Sequence, residues 1–514
     1  MSMPLDEKPA FRGGYLSLTL FLCGASVLVV EIVGARMISP YFGASIFVWS
    51  SLITVTLVAL ALGYWWGGIY SGQRPGITGM YDVVLAASVS LAVVPLLRAP
   101  ILALLAPLGI RVGSFLAVTV LFLPSLFLLG MATPSAVGVA SGSGTKAAAL
   151  TGRLYAISTI GSVAGALAAG FFLVPILPVD GIFSSFAAVL AATSAVPFFA
   201  DGKRGRATAA IVVLLLCLLQ LVWPARLPNS DQAVVLFKQE SPYADVRVIE
   251  TSSGRSLLVN GIMQGSMDRD GIPADRYFYT VDALVHAYRP NMRDSLVIGL
   301  GTGAYPKLQM ARGFKTDVVE IDPVVSIASK RYFGYNEAAG TLYVQDGRDY
   351  LRSTEKKYDC VFVDAYAAES LPIHLFSIES FQLTASVLRE GGIVAVNFHD
   401  ARDGRKNLAT RSLARTLSAV FRDVRAFEVQ PWHDSSIANI VFIASLHPLV
   451  FQESHVPLQA SSALGQAPIP TPITVGAGGV LLTDVYNPLD SIYNPISESM
   501  RRATMLAFPP ELIR

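Results

Sequence analysis

Four successive places in the second half of the chain join a run of apolar and β-branched residues to a group that can hold or activate a polar ligand. The run SLVIGL enters Gly299-Leu300-Gly301-Thr302-Gly303, where glycines allow a tight turn and a close approach of backbone N–H groups to a ligand. The next run ends in Glu320-Ile321-Asp322, and an acidic side chain there can accept hydrogen bonds from ribose hydroxyls. The third ends in Asp346-Gly347 and the fourth in Asp364-Ala365-Tyr366. Ligands of open α/β sheets bind at such strand ends, so the four together predict one nucleoside-type site. Of the three cysteines, Cys23 and Cys217 lie in apolar runs and Cys360 in a strand-like run, so neither a disulfide nor a metal site is expected.

These residues need a scaffold. Strands SLVIGL, DVVEID, TLYVQD, CVFVDAY and GIVAVNF alternate with helical runs at 323–332, 377–389 and 407–421, which predicts a parallel sheet with crossover helices over 291–450. Before it, 233–238, 245–250 and 256–260 carry strand patterns broken by Ser-Pro, Ser-Gly and Asn-Gly, so 227–290 reads as a small β-rich unit. Residues 451–514 read as a loop-rich tail.

The first 226 residues are a different material. They hold 12 Lys/Arg and 6 Asp/Glu against 27 and 31 in the remainder, in a chain of mean hydropathy +0.51. Seven apolar segments, roughly 15–35, 46–70, 81–97, 112–130, 154–177, 181–199 and 207–223, are each near the length that crosses a bilayer, with a short interfacial piece expected around 99–110. The boundary is expected at Trp223, Pro224 and Pro228. Glu31 and Arg36 read as an intramembrane ion pair. Small residues four apart, at Gly161, Gly165 and Ala169 and at Gly63 and Gly67, read as close helix packing. The mildly acidic second half argues against nucleic acid, which wants a basic face.

Glu240-Ser241-Pro242-Tyr243, Asn260-Gly261 with Gln264, the GLGTG turn, Val319-Glu320-Ile321-Asp322, Gln345-Asp346-Gly347, Val363-Asp364 and Leu375-Phe376 follow in an order that resembles spermidine synthases, the polyamine aminopropyltransferases, over about 235–445. With Glu31, Arg36, Pro40-Tyr41-Phe42-Gly43 and Ile373-His374-Leu375, the chain is similar to the bacterial membrane-fused members of that group. The resemblance implies a Rossmann-like domain of the S-adenosylmethionine-binding type behind a polytopic helical membrane domain, in the inner membrane, serving polyamine biosynthesis. It implies S-adenosylmethionine or its decarboxylated form as co-substrate, no metal, and an amine or other small acceptor. Gly299, Gly301, Gly303, Glu320, Asp346 and Gly347 would hold the nucleoside, Glu320 taking the ribose and Asp346 the adenine amino group. Gln264, Tyr277 or Tyr279, Asp282 and Tyr366 would line the acceptor side, and Asp364 would be the base that deprotonates the amine.

The pattern also departs from the family. Thr302 and Ala367 stand where the family has Asp, Ala244 where it has Gln, and Val281-Asp282 best match its His-Glu pair. Adenosine-side residues are kept and amine-side ones are not. Methyl transfer from S-adenosylmethionine, or a transporter or sensor with a nucleoside-binding domain, are therefore open alternatives to aminopropyl transfer. A lipid bilayer and a second copy of the chain are the expected partners. Loop charges conflict with cofactor supply. With seven crossings and Lys8, Arg12, Arg74, Lys146, Arg153, Lys203, Arg204 and Arg206 inside, the second half lies outside the cytoplasm, where the adenosyl donor is not made.

Overall fold

The computed structural model describes residues 9–512 except 44–45, 75, 141–145, 223–228, 231–232, 276, 339, 367, 369, 402–406, 432–436, 453–469 and 509–511. Trp223, Pro224, Pro228 and Ala367 lie outside the described residues. The chain divides into two compact units, Met1–Leu227 and Pro228–Ile513.

The first unit is helical: α1 (Pro9–Phe42), α2 (Ile46–Gln73), α3 (Ile77–Leu105), α4 (Gly109–Ala140), α5 (Lys146–Ala168), α6 (Val179–Ala200) and α7 (Arg204–Val222). Among the described residues, six helical stretches are long and apolar enough to cross a membrane, the third being the 64-residue run Ile77–Ala140. That run is twice the usual length because it turns back at Ala106–Leu108, where Gly109 takes φ 79°. Its arms α3 and α4 then lie side by side, with Ser90 Oγ and Ser125 Oγ 2.8 Å apart. The expected interfacial piece at 99–110 is thus a short turn, with α3 helical to Leu105.

Glycines bring these helices to backbone contact. A Cβ on Gly161 would sit 2.1 Å from the Phe21 carbonyl oxygen, and one on Gly165 2.5 Å from that of Ala25, so α5 lies directly on α1. Gly24 meets Ser158 in the same way, and Ser162 Oγ donates to the Gly24 carbonyl at 2.9 Å. Gly63 and Gly67 repeat the device between α2 and α4. In a lipid environment such van der Waals contact and hydrogen bonding replace the hydrophobic drive that water supplies.

The second unit begins with an antiparallel sheet, β1 (Asn229–Ser230), β2 (Ala233–Glu240), β3 (Asp245–Thr251), β4 (Gly254–Val259) and β5 (Ile262–Met267), in sequential order. Asn260 and Gly261 both take positive φ between β4 and β5, as a two-residue hairpin turn requires. After α8 (Tyr277–Tyr288) come β6 (Asp294–Ile298), α9 (Ala304–Ala311), β7 (Lys315–Glu320), α10 (Pro323–Tyr332), β8 (Leu342–Val344), α11 (Gly347–Ser353), β9 (Tyr358–Val363), α12 (Ile378–Ser386), β10 (Leu388–Ala401), α13 (Leu408–Ser418), β11 (Asp423–Pro431), β12 (Ile437–Ser445) and β13 (Pro472–Ile473). The order across this sheet is β8-β7-β6-β9-β10-β12-β11-β13, with β12 antiparallel to both neighbours. Order reverses between β6 and β9, which makes their C-terminal ends the switch point where a crevice opens. Alternate residues enter opposite core layers, Val297 and Val318 one, Leu296, Ile298 and Val319 the other.

The tail is not the loop-rich segment expected. Leu489–Ala507 forms a 19-residue helix, α14, whose Leu489, Tyr493, Ile496 and Met500 make one buried stripe. Pro495 and the neighbouring polar residues hid that periodicity.

Gly161→Ala should cost about 1–3 kcal/mol through overpacking against α1, read as a lowered thermal midpoint in detergent. Gly152→Ala, in the same helix with nothing among the described residues within 4 Å of its Cβ position, should leave the midpoint unchanged or raise it.

Candidate active site

The turn after β6 is shaped by what lies beside it. A Cβ on Gly299, whose φ is 100°, would fall 2.2 Å from the backbone oxygen of Asp364 at the end of β9. Among the described residues, a Cβ on Gly301 would have only the Gln264 carbonyl within 4 Å, at 3.8 Å, so the backbone there faces open space. That space is a cavity of about 410 Å³ lined by all the strand ends named from the sequence.

Glu320, at the end of β7, is 8% exposed and ties two loops together: Oε2 accepts the N–H of Leu300 and Oε1 that of Asp322, both at 2.9 Å. Each oxygen keeps a second lone pair. Burial pushes this carboxyl up to about 6, against the hydrogen bonds from Asp322 and Leu300, which lower it. Asp322 caps α10 by accepting Val324 N–H at 2.8 Å and takes the Ser241 hydroxyl at 2.6 Å, which fastens the β2–β3 turn to the cavity wall. Asp346 caps α11 through Oδ1 and meets His374 Nε2 with Oδ2 at 2.9 Å. Asp346, Gly347 and His374 line one end of the cavity.

Asp364 stands at the opposite end. Tyr277 OH donates to its Oδ2 and Asn397 Nδ2 to its Oδ1, each at 2.8 Å. Burial raises the Asp364 carboxyl above the ordinary range, against the two hydrogen bonds, which lower it. Asn397 is itself oriented by Asn439 Nδ2, 3.0 Å from its Oδ1 and 3.0 Å from His399 Nε2. Burial holds the His399 imidazole down at about 3, so it is neutral near pH 7. Tyr366 lines the cavity, with its ring against His399 and its hydroxyl 3.3 Å from the Asn397 carbonyl. Gln264 also lines it and donates to the carbonyl of Ala368, a residue at φ 59°, at 3.1 Å.

Three expected residues are elsewhere: Gly303, at φ 74°, starts α9, a Cβ on it would meet Ser329 Oγ at 2.8 Å and Tyr335 Cβ at 2.9 Å, and it does not line the cavity. Tyr277 and Tyr279 are about 200° apart round α8, so one helix face cannot present both. Tyr277 lines the cavity, whereas Tyr279 is buried and does not. Asp282, about 140° round from Tyr277, is fully buried and bonded to Gln309 Nε2 and Arg312 Nη2 at 2.7 Å each. It holds α8 to α9 and touches no ligand space. Sequence reasoning missed Asp275, Asn397, His399 and Met500, all of which line the cavity. The polar Asn397 and His399, two apart in an otherwise apolar strand and hence on one face, were the signal for two of them.

Residues 277–429 match the family model described as the spermine/spermidine synthase domain. The C-terminal part of the chain carries that domain. Among curated relatives, the polyamine aminopropyltransferase of Vibrio vulnificus (strain CMCP6) is 30% identical over 203 residues, 36% of this chain and 66% of its own. Spermidine synthase 1 of Pisum sativum is 32% identical over 183 residues, 34% of this chain and 53% of its own. Putrescine N-methyltransferase 2 of Nicotiana attenuata is 30% identical over 190 residues, 34% of this chain and 48% of its own. The chain thus spans about half to two thirds of the length of these relatives. In the synthase domain the glycine turn, Glu320, Asp346 and Asp364 meet around one cavity.

Gly299→Ala should lower the thermal midpoint, because the new methyl overlaps the Asp364 carbonyl and the backbone strain adds about 1–3 kcal/mol. Gly301→Ala has φ 54° and open space, so it should cost about 1–2 kcal/mol at most and fold, while its methyl narrows the cavity.

Proposed function

We propose that the C-terminal unit transfers an aminopropyl group from decarboxylated S-adenosylmethionine, or a closely related adenosyl sulfonium, to an amine, and that the helical unit holds it in a membrane. The observation that carries the reading is the pairing of a ribose-type acid, Glu320, with a strand-end carboxylate, Asp364, on either side of one glycine turn in one cavity. The residues fit such a ligand: among the described residues nothing covers the backbone at Gly301, and the Thr302 hydroxyl is buried in the cavity wall with no hydrogen-bond partner.

When bound, the sulfonium supplies an electrophilic carbon, so a carbon–nitrogen bond forms as the carbon–sulfur bond breaks and its electron pair stays on sulfur in the departing methylthioadenosine. The chain's own residues do the rest. Glu320 accepts from the ribose hydroxyls, and Asp346, beside His374, faces the adenine end. Asp364 takes the proton that an ammonium must lose before it can attack. Burial makes it a stronger base, while Tyr277 and Asn397 fix the direction in which its oxygens face.

Methyl transfer from S-adenosylmethionine is the second reading. It is favoured by Thr302, whose neutral hydroxyl could donate to the carboxylate that the intact donor keeps. Incubation of the purified chain with each donor and a panel of amines separates the two. Methylthioadenosine release is expected, and release of S-adenosylhomocysteine alone would overturn the reading. Membrane embedding is supported by large apolar side chains on the helix exteriors, among them Trp65, Leu104, Phe171 and Ile176, each more than two thirds exposed. Retention of the chain in membranes washed with alkaline carbonate tests it.

Glu320→Ala should weaken methylthioadenosine binding by about 1.5–3 kcal/mol, the scale of a hydrogen bond to a charged group, as measured by calorimetry. Because the Glu320 carboxyl titrates at about 6, its charged, accepting form is lost as pH falls through that value. Affinity should therefore fall from pH 7.5 to pH 5 in the wild type, and the corresponding step should be missing in Glu320→Ala. Asp364→Asn should lower turnover by about 10²–10⁴-fold and leave nucleoside binding within about twofold.

A further inference from the structure

We infer that Asn439 is a positioning residue of the reaction: with the bare Nε2 of His399 it fixes which end of the Asn397 amide faces Asp364, and so keeps a hydrogen-bond donor on that carboxylate. This rests on the aminopropyl-transfer reading above, in which Asp364 is the base. Asn397, His399 and Asn439 are all buried. His399 of β10 and Asn439 of β12 are direct antiparallel partners, and Asn397, two residues along β10, lies on the same face and diagonal to Asn439.

The direction of each contact follows from the one before it. An ionised carboxylate only accepts, so at the 2.8 Å contact with Asp364 Oδ1 the Asn397 amide has to present Nδ2. Its Oδ1 then faces Asn439 and needs a donor, which Asn439 Nδ2 supplies at 3.0 Å. The second hydrogen of that nitrogen goes to His399 Nε2, also at 3.0 Å. A ring nitrogen that accepts carries no proton, so the neutral imidazole holds its proton on Nδ1. Burial keeps His399 down at about 3, and no imidazolium reverses the relay near neutral pH. A proton on Nε2 would demand an oxygen from Asn439, turn both amides round, and set Asn397 Oδ1 against Asp364 Oδ1. Two acceptors meet there unless Asp364 is protonated, and a protonated Asp364 is no base. The relay therefore favours the ionised form of Asp364 against the burial that raises it. Among the described residues, Asp275 ahead of α8, Tyr277 on α8, Tyr305 on α9 and Tyr366 after β9 also bear on the charge of Asp364, and the variants below leave all four in place.

The test uses the full chain in detergent with isotope-labelled histidine nitrogens, the His399 signals being assigned by their loss in His399→Gln. Near neutral pH, Nε2 of His399 should show the shift of an unprotonated ring nitrogen, and a proton on Nε2 would overturn the inference. Asn439→Asp offers His399 only acceptors, so Nε2 should become protonated. Asp364 in that variant should take up its proton at a pH higher by about 1 or more, read from the carboxylic-acid infrared band that Asp364→Asn lacks. Asn439→Leu, uncharged and close in size, should move the same midpoint upward by less, because the Asn397 carbonyl loses the donor that fixed it. Methylthioadenosine affinity, far from the substitution, should stay within about twofold in both. The acidic limb of methylthioadenosine release, with decarboxylated S-adenosylmethionine and putrescine or spermidine, should move with the infrared midpoint. A midpoint that stays at the wild-type value in both variants would overturn the positioning role. Absence of methylthioadenosine release by the wild type would instead remove the parent reading, and the catalytic role of the relay with it.

Discussion

Between the end of β6 and the end of β9 there is room for a hydrogen atom and little else. The Cα of Gly299 lies so close to the backbone oxygen of Asp364 that a methyl group would overlap it at 2.2 Å. This contact sits at the switch point of the sheet, where neighbouring crossovers leave in opposite directions and a crevice must open. It is held by the Asp364 N–H donating to the Ile298 carbonyl and by the Gly299 N–H donating to the Val319 carbonyl. Three strands are thereby locked at their C-terminal ends, and Leu300, Glu320 and Asp364 have fixed positions before any ligand arrives.

From that lock the polar groups are organised outward. Glu320 carries two backbone N–H groups, Asp322 a helix terminus and a serine, and Asp346 a second helix terminus. Each carboxylate that faces the cavity thus also performs a structural task. A buried acid with two donors already in place loses little freedom when a ligand hydroxyl is added, which is the physical content of preorganisation. The surroundings of Asp364 are arranged differently: it is oriented by side chains, through the relay Asn439–Asn397–Asp364 and the Tyr277 hydroxyl.

That difference explains what the sequence made legible. Gly299, Gly301, Glu320, Asp346 and Asp364 are strand-end residues, and strand ends follow from local apolar runs, so their convergence could be anticipated without knowing the sheet order. Asn397, His399 and Asp275 reach the cavity, and Asn439 orients the first two, through sheet neighbours and a loop, contacts with large separation in sequence that no local pattern encodes. Asp282 was misread because matching by order ignores which way a helix turns. The helix from Leu489 to Ala507 was missed because Pro495 breaks its pattern, although its stripe delivers Met500 to the cavity wall.

The Asp364 side of the cavity also follows an electrostatic logic that its composition alone conceals. Two carboxylates near each other in a partly desolvated space raise each other's proton affinity, since like charges disfavour the ionised pair. Asp275 acts on Asp364 in this way, in addition to burial. Under the aminopropyl-transfer proposal an ammonium would relieve that repulsion, which a neutral acceptor would leave in place. A third carboxylate at position 302 would add to the repulsion in the empty site. With threonine there, the cavity wall carries one fewer buried charge. Thr302 therefore spares this end of the cavity a third mutually repelling carboxylate beside Asp275 and Asp364.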